Sequence, residues 1–318
     1  MSSKPTRSLT TIYVTRHGVI PFKLDCRPCN RYIYCQYPTP TGIPSDPALA
    51  GYGEAQAAEL GLHLSTLSPP IERIYSSPFY RCIQTISPLI PHLSSRTSDP
   101  ATLKIRGENG LGEWYGTARF DHPSPATPEL LNSLFPTYDK EYVPKIRPSV
   151  NGESIETLHD RTAYALHRVI EDADREGVKA IVICTHAATL IAIGRCLTGR
   201  MPEDVGEEDF RPFTCGLSVF ERKESGDEAG KDVNVWKGPE EEIPEVGWRN
   251  GNGVGGGWEI KKNGDCSFLS GGEERGWRFS GDESFSTTPA LPALDAGSAL
   301  GVVIEGNKPG NPSEPSRL

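Results

Sequence analysis

At 318 residues the chain exceeds one typical domain, and its 36% hydrophobic content is diluted by 28 prolines and 33 glycines, so only part of it is expected to form core. A formal charge of −9, a pI near 5.4 and the lack of any lysine/arginine block argue against direct nucleic-acid binding through a basic surface. Met1–Ser8 lacks an apolar signal core and no run approaches the roughly 18 apolar residues of a membrane span, which points to the cytosol or nucleus without a membrane anchor.

After a flexible start at residues 1–8, Ile12-Tyr13-Val14-Thr15 reads as a short strand that stops abruptly at Arg16-His17-Gly18. Cys26-Arg27-Pro28-Cys29, with Cys35, has a metal-like CxxC pair but no nearby fourth ligand, so free thiols in an insertion loop are expected rather than zinc. Leu49–Ala57 begins the first helix. Ile71–Ser77 is a second strand, leading through Pro78 into a helix whose first turn carries Arg81, ahead of apolar Ile83, Ile86 and Leu89. Helix-start N–H groups at such a junction favour anions.

Gly110-Leu111-Gly112-Glu113-Trp114 sets Glu113 beside an aromatic ring, where its pKa is expected to rise into the range useful for a proton donor. Residues 118–148 are longer than a compact domain normally spends on a connection and are expected to form a substrate-selecting lid. Lys140, Lys145 and Arg147 within it are candidates for gripping a second anionic group, although exposed bases are more often simply solvated.

Over residues 153–173, Ile155, Leu158, Thr162, Ala165, Leu166 and Val169 recur at helical spacing, with Gly177 available as a C-cap. Ile181-Val182-Ile183-Cys184-Thr185 is a strand much like the first and ends in His186. The following Ala187–Gly194 is apolar all round, the pattern of a buried helix whose N-terminal dipole helps hold an anion. This alternation predicts a three-layer α/β/α, doubly wound, mostly parallel sheet over residues 9–220. Ligands of such sheets collect beyond the carboxyl ends of the strands, so His17 and His186 should converge on one crevice. An imidazole there can act as a covalent nucleophile in phosphoryl transfer, with forked arginine donors around the equatorial oxygens.

Past Phe220 the composition changes. Residues 221–245 hold nine acids against four bases and read as an acidic linker. Residues 246–283, with Trp248, Trp258 and Trp277, read as a small β-rich appendix, including a hairpin over Trp258–Leu269 that turns at Asn263-Gly264. Covering the main domain is its expected use, and protein docking through exposed tryptophans is the alternative. Residues 284–318 are dominated by Ser, Pro, Gly and Ala and are expected to be a disordered tail. Cys82, Cys184 and Cys196 fall where reduced buried thiols fall. His63, His92, His122, His159 and His167 are expected to pack against helices or lie at the surface.

Taken in order, Thr15-Arg16-His17-Gly18, Tyr75-Ser76-Ser77-Pro78-Phe79-Tyr80-Arg81, Leu111-Gly112-Glu113-Trp114 and Thr185-His186 resemble the histidine phosphatase (phosphoglycerate-mutase-like) superfamily. That resemblance implies that His17 is phosphorylated, that Arg16, Arg81 and His186 bind the phosphoryl group, and that Glu113 is the acid, with neither metal nor cofactor. Lys23 stands where mutases and many small-metabolite members carry Asn, which disfavours a mutase or sugar bisphosphatase. The Leu-Gly-Glu-Trp form is more similar to the branch holding protein tyrosine phosphatase-like members and the histidine-phosphatase subunit of the fungal RNA polymerase III factor TFIIIC. The implied function is hydrolysis of a phosphorylated small molecule or phosphoprotein. The alternative is an interaction subunit of a transcription assembly that meets its protein partner through the C-terminal region.

Overall fold

Six strands form one sheet in the computed structural model, which describes residues 7–21, 38–96, 103–117, 122–224 and 233–280. They are β1 (Thr11–Arg16), β2 (Arg73–Ser76), β3 (Ile105–Gly107), β4 (Ala180–Thr185), β5 (Leu217–Arg222) and β6 (Trp258–Asp265), in the order β3-β2-β4-β1-β5-β6. The four strands from β3 to β1 run parallel, while β5 is antiparallel to β1 and β6 to β5. Lys23, the Cys26/Cys29/Cys35 group, the charged run 225–232 and the tail from 284 lie outside the described residues.

Every residue of β1 and β4 is buried, as a central parallel strand covered on both faces requires. Their side chains alternate between two cores. Ile12, Val14, Ile181 and Ile183 face α5 (Ile155–Glu176) and α6 (Ala187–Thr198), whereas Tyr13, Val182 and Cys184 face α1 (Gly51–Ser65), α2 (Tyr80–Ile86) and α3 (Leu89–Ser94). The result is the expected three-layer arrangement. The predicted C-cap Gly177 ends α5 in the left-handed conformation, and at the other end Ser154 Oγ caps the helix by accepting from Thr157 N at 3.1 Å. Cys82, Cys184, Cys196, Cys215 and Cys266 are buried and unpaired with one another. No helix among the described residues is long and apolar enough to cross a membrane.

One expectation is corrected. Residues 258–265 are one strand, β6, rather than the first arm of a hairpin turning at Asn263-Gly264. Asn263 uses its amide on Asp209 O and Arg211 N, each at 2.9 Å, and Gly264 N donates to Ser218 Oγ at 3.0 Å. A Cβ at position 264 would lie 2.4 Å from Arg211 O and the φ is +67°, so this glycine serves a register shift against β5 and not a turn. The surrounding 246–280 segment is correspondingly not a separate β-unit: Trp248, Trp258, Trp277 and Phe279 belong to the same core cluster as α5 and α6.

The segment read as a lid packs on the sheet edge over its described part. Its described part, 122–148, lies against edge strand β3: Tyr138 bridges to Ile105, and α4 (Pro128–Leu134) buries Leu131. Covering a short edge strand removes an exposed ladder of N–H and C=O groups. Lys145 pairs with Asp172 at 2.6 Å, and exposed Lys140 lies 3.9 Å from its sequence neighbour Glu141.

Candidate active site

β1 and β4 are neighbours in register Arg16↔Thr185, so the residues that follow them emerge side by side. The His17 and His186 rings meet edge to face, with centroids 5.3 Å apart, and His17 N donates to Thr185 O at 3.0 Å. On the far side of β4, β2 ends at Ser76 and the chain passes through Ser77 and Phe79 into α2, whose first turn holds Arg81. The loop after β3 passes through a 3₁₀ turn at Asn109–Leu111 and delivers Glu113. Thr185 Oγ1 and Thr189 Oγ1 donate to Leu111 O and Gly112 O at 2.6 and 2.8 Å, which fixes that loop on β4 and α6. The five residues marked in the sequence are therefore brought to the carboxyl edge of the sheet.

His17 is buried, and its Nδ1–H donates to Gly18 O at 2.9 Å, which leaves Nε2 as the unprotonated nitrogen of the neutral ring. Burial first, then the charges of Arg81, His186 and Arg16, hold His17 well below the ordinary histidine pKa. Arg81 donates to Glu113 Oε2 at 2.9 Å and to Ser45 O at 3.1 Å, and its Nη1 lies 3.4 Å from Asp46 Oδ1. Arg16 Nη1 donates to Pro212 O and Arg275 O at 2.9 and 2.5 Å. Burial lowers the Arg16 pKa to about 10, still leaving it charged.

His186 Nδ1 lies 3.1 Å from both Glu113 Oε2 and Arg81 Nη2. It donates to the carboxylate when protonated and accepts from the guanidinium when not. Burial alone would lower its pKa, but the Cys82 sulfur and the Glu113 carboxylate raise it. Its Nε2 lies 2.7 Å from Ser77 Oγ.

Glu113 departs from the sequence-based expectation of a raised pKa. Burial pushes the carboxyl up, but His186 and Arg81 outweigh it and hold the group well below the usual carboxylate range. The Trp114 ring is turned elsewhere: its Nε1 donates to Glu153 O at 2.9 Å, and its ring meets Phe279. The charges on its other side, which sequence adjacency does not reveal, decide the matter.

The ligand atoms of His17, Glu113 and His186 lie within 4.8 Å of one another, a spacing that would suit a metal. Arg81 however donates to the same carboxylate, and Arg16 stands beside His17, so the concentrated positive charge suits an anion instead. Two guanidinium groups and the His186 ring around one small buried space can bind a tetrahedral oxyanion and neutralise charge that develops on it.

Several supporting side chains carry no sequence signal of their own. Thr85 Oγ1 accepts from Gly18 N at 3.0 Å while donating to Arg81 O at 2.7 Å, tying the His17 loop to α2. Gln56 Oε1 accepts from Val19 N at 3.1 Å, and its Nε2 donates to Glu274 Oε2 at 2.9 Å. Gly53 is required where the two chains touch, since a Cβ there would lie 2.1 Å from Val19 O.

A model described as histidine phosphatase superfamily (branch 1) matches residues 12–232. The chain is 32% identical over 284 residues to the transcription factor tau 55 kDa subunit of Saccharomyces cerevisiae, covering 85% of this chain and 59% of that protein. It is 30% identical over 174 residues to the ecdysteroid-phosphate phosphatase of Drosophila melanogaster, covering 53% of this chain and 22% of that protein. The chain thus spans less than two thirds of the length of the first relative and less than a quarter of the second. The crystal structure of an ecdysone phosphate phosphatase from Bombyx mori, in complex with tungstate, shares the fold with a TM-score of 0.51 at 20% identity, over 72% of this chain and 92% of that one.

Proposed function

This chain belongs to the histidine phosphatase superfamily, and on that premise we propose that it hydrolyses phosphomonoesters through a phosphohistidine at His17. The observation that carries the reading is the pairing of a neutral His17, its Nδ1–H spent on Gly18 O, with the buried cations Arg81 and Arg16. Nε2 of His17 attacks phosphorus while the bond to the ester oxygen breaks, and that oxygen leaves with a proton from Glu113. Water then attacks the phosphohistidine, its proton passing to Glu113, which releases inorganic phosphate and restores His17. Arg16, Arg81 and His186 hold the equatorial oxygens throughout. The substrate class is a phosphorylated small molecule or a phosphoprotein.

The test is phosphate release from a generic aryl phosphate between about pH 5 and 8, the span in which histidines and carboxyls titrate. The intact chain should release phosphate and His17→Ala should not. Silence in both, from folded protein, would contradict the reading.

A second reading is favoured by the 32% identity to the transcription factor tau 55 kDa subunit, which extends over 85% of this chain. In it the chain is a nuclear interaction subunit whose phosphatase fold acts as a scaffold. A complex with transcription-factor subunits that survives His17→Ala would support it. Deleting 246–280 does not test it, because Trp248 and Trp258 are core residues and their loss would unfold the scaffold along with any docking face.

A further inference from the structure

Ser77, the residue after β2, carries no charge yet meets the site through its side chain. Its Oγ lies 2.7 Å from His186 Nε2, and both residues are fully buried. The backbone fixes the place of that hydroxyl: Ser77 N donates to Cys184 O at 2.8 Å, and Ser77 O accepts from Ser76 Oγ at 2.8 Å. The other ring nitrogen marks where a phosphoryl oxygen goes. Arg81 Nη2 and His186 Nδ1 converge on one atom, Glu113 Oε2, at 2.9 and 3.1 Å. An oxyanion that displaces the carboxylate from Arg81 takes the place of that atom and meets Nδ1 as well.

To bind an oxyanion there, Nδ1 must carry a proton, and a ring protonated on both nitrogens binds it more strongly than a neutral one. Such a ring also presents a buried Nε2–H, which needs an acceptor. Among the described residues, Ser77 Oγ is the oxygen within reach of that nitrogen. Cys82 Sγ, 3.5 Å from it, is a weaker acceptor and gives its own proton to Thr185 O at 3.6 Å. The other titratable groups facing His186 are Glu113 after β3, Arg81 on α2 with Asp46 behind it, and His17 after β1 with Arg16 beside it. The first turn of α6 adds no charged side chain.

We propose that Ser77 is a positioning residue: its hydroxyl accepts the Nε2 proton of His186, holds the ring in its doubly protonated form and so presents Nδ1–H to a phosphoryl oxygen. The proposal rests on the phosphomonoesterase reading of His17 and its neighbours, and Ser77 acts through the ring. When the ring is neutral the hydroxyl turns and donates to Nε2, but that bond between uncharged groups is about half as strong. Loss of the hydroxyl therefore costs the charged ring more than the neutral one, and His186 gives up its proton at lower pH.

Nitrogen-15 NMR of the histidine rings in the whole chain, titrated from about pH 5 to 9 and read together with calorimetry of inorganic phosphate binding, tests this. In Ser77→Ala, or Ser77→Gly if the alanine variant does not fold, the His186 midpoint should fall by about one pH unit, the difference between a charged and a neutral hydrogen bond. Phosphate should bind the variant as tightly as the parent below both midpoints and about tenfold more weakly above them. Ser77→Thr, which keeps the hydroxyl, should retain the parent behaviour in both measurements. An unmoved His186 midpoint in Ser77→Ala, or a loss of phosphate affinity that is the same at every pH, would overturn the role of Ser77 alone. Folded parent protein that binds no phosphate at any pH would overturn the phosphomonoesterase reading and the role of Ser77 with it.

Discussion

Glu113 Oε2 lies 2.9 Å from Arg81 Nη2, and the carboxylate thus occupies a donor that a phosphoryl oxygen would need. An arriving phosphate dianion competes for Arg81 and His186, removes the charges that hold Glu113 low, and adds a like charge beside it, so the carboxyl pKa must rise on binding. Phosphate or tungstate binding should therefore take up protons between about pH 6 and 8, where free carboxyls are ionised. Calorimetry in buffers of differing ionisation enthalpy measures this uptake, and a binding enthalpy independent of buffer would rule out such coupling.

The same relationship makes the acid function dependent on the leaving group. Glu113→Gln keeps the size of the side chain but supplies no transferable proton. It should slow hydrolysis of an alkyl phosphate by about 10²–10⁴-fold. A nitrophenyl ester, whose phenolate leaves without help, should be slowed far less. Equal losses for both esters would mean that Glu113 only positions Arg81 and His186.

Much of this site was readable because residue type and strand end coincide. Arg16-His17 and His186 stand at the ends of strands whose apolar, β-branched runs are plain, and parallel strands of adjacent register must deliver them together. The protonation of Glu113 was not readable, because Trp114 adjoins it in sequence whereas Arg81 and His186 adjoin it in space. Asn263-Gly264 misled for a related reason: the dipeptide satisfies a turn, but contacts with Asp209, Arg211 and Ser218, remote in sequence, use it within a strand. The contact of the Arg275 carbonyl with Arg16 carried no signal at all, since it depends on the course of the chain past β6.

His159 provides a stability prediction separate from chemistry. It is buried between Trp248 and Phe279, its Nδ1–H donates to Ile155 O at 2.6 Å, and burial lowers its pKa to about 4. Below the ordinary value of about 6.5 the unfolded chain binds a proton that the folded chain refuses, so stability falls as pH drops from there toward 4. Across that window the loss is on the order of 3 kcal/mol. His159→Phe should flatten the decline between those limits in urea denaturation series, whatever its effect at neutral pH. An unchanged slope would show that His159 is protonated in the folded protein.

Trp258 tests the integration of the C-terminal segment. Its ring lies beneath Arg222 at 5.4 Å and its Nε1 donates to Val254 O at 2.9 Å within the core shared with α5 and α6. Trp258→Ala should cost about 3–5 kcal/mol in a single cooperative unfolding transition. Two separate transitions, with the main one unmoved, would instead indicate an independent C-terminal unit.

The most direct measurement is to trap the covalent intermediate. The chain is mixed with aryl phosphate, quenched rapidly in alkaline denaturant to preserve a phosphoramidate, digested, and read by mass spectrometry. Phosphate on the peptide bearing His17, and not on that bearing His186, is the predicted result. Aryl phosphate hydrolysis without any label on His17, or with the label on another residue, would contradict the proposed mechanism at its first step.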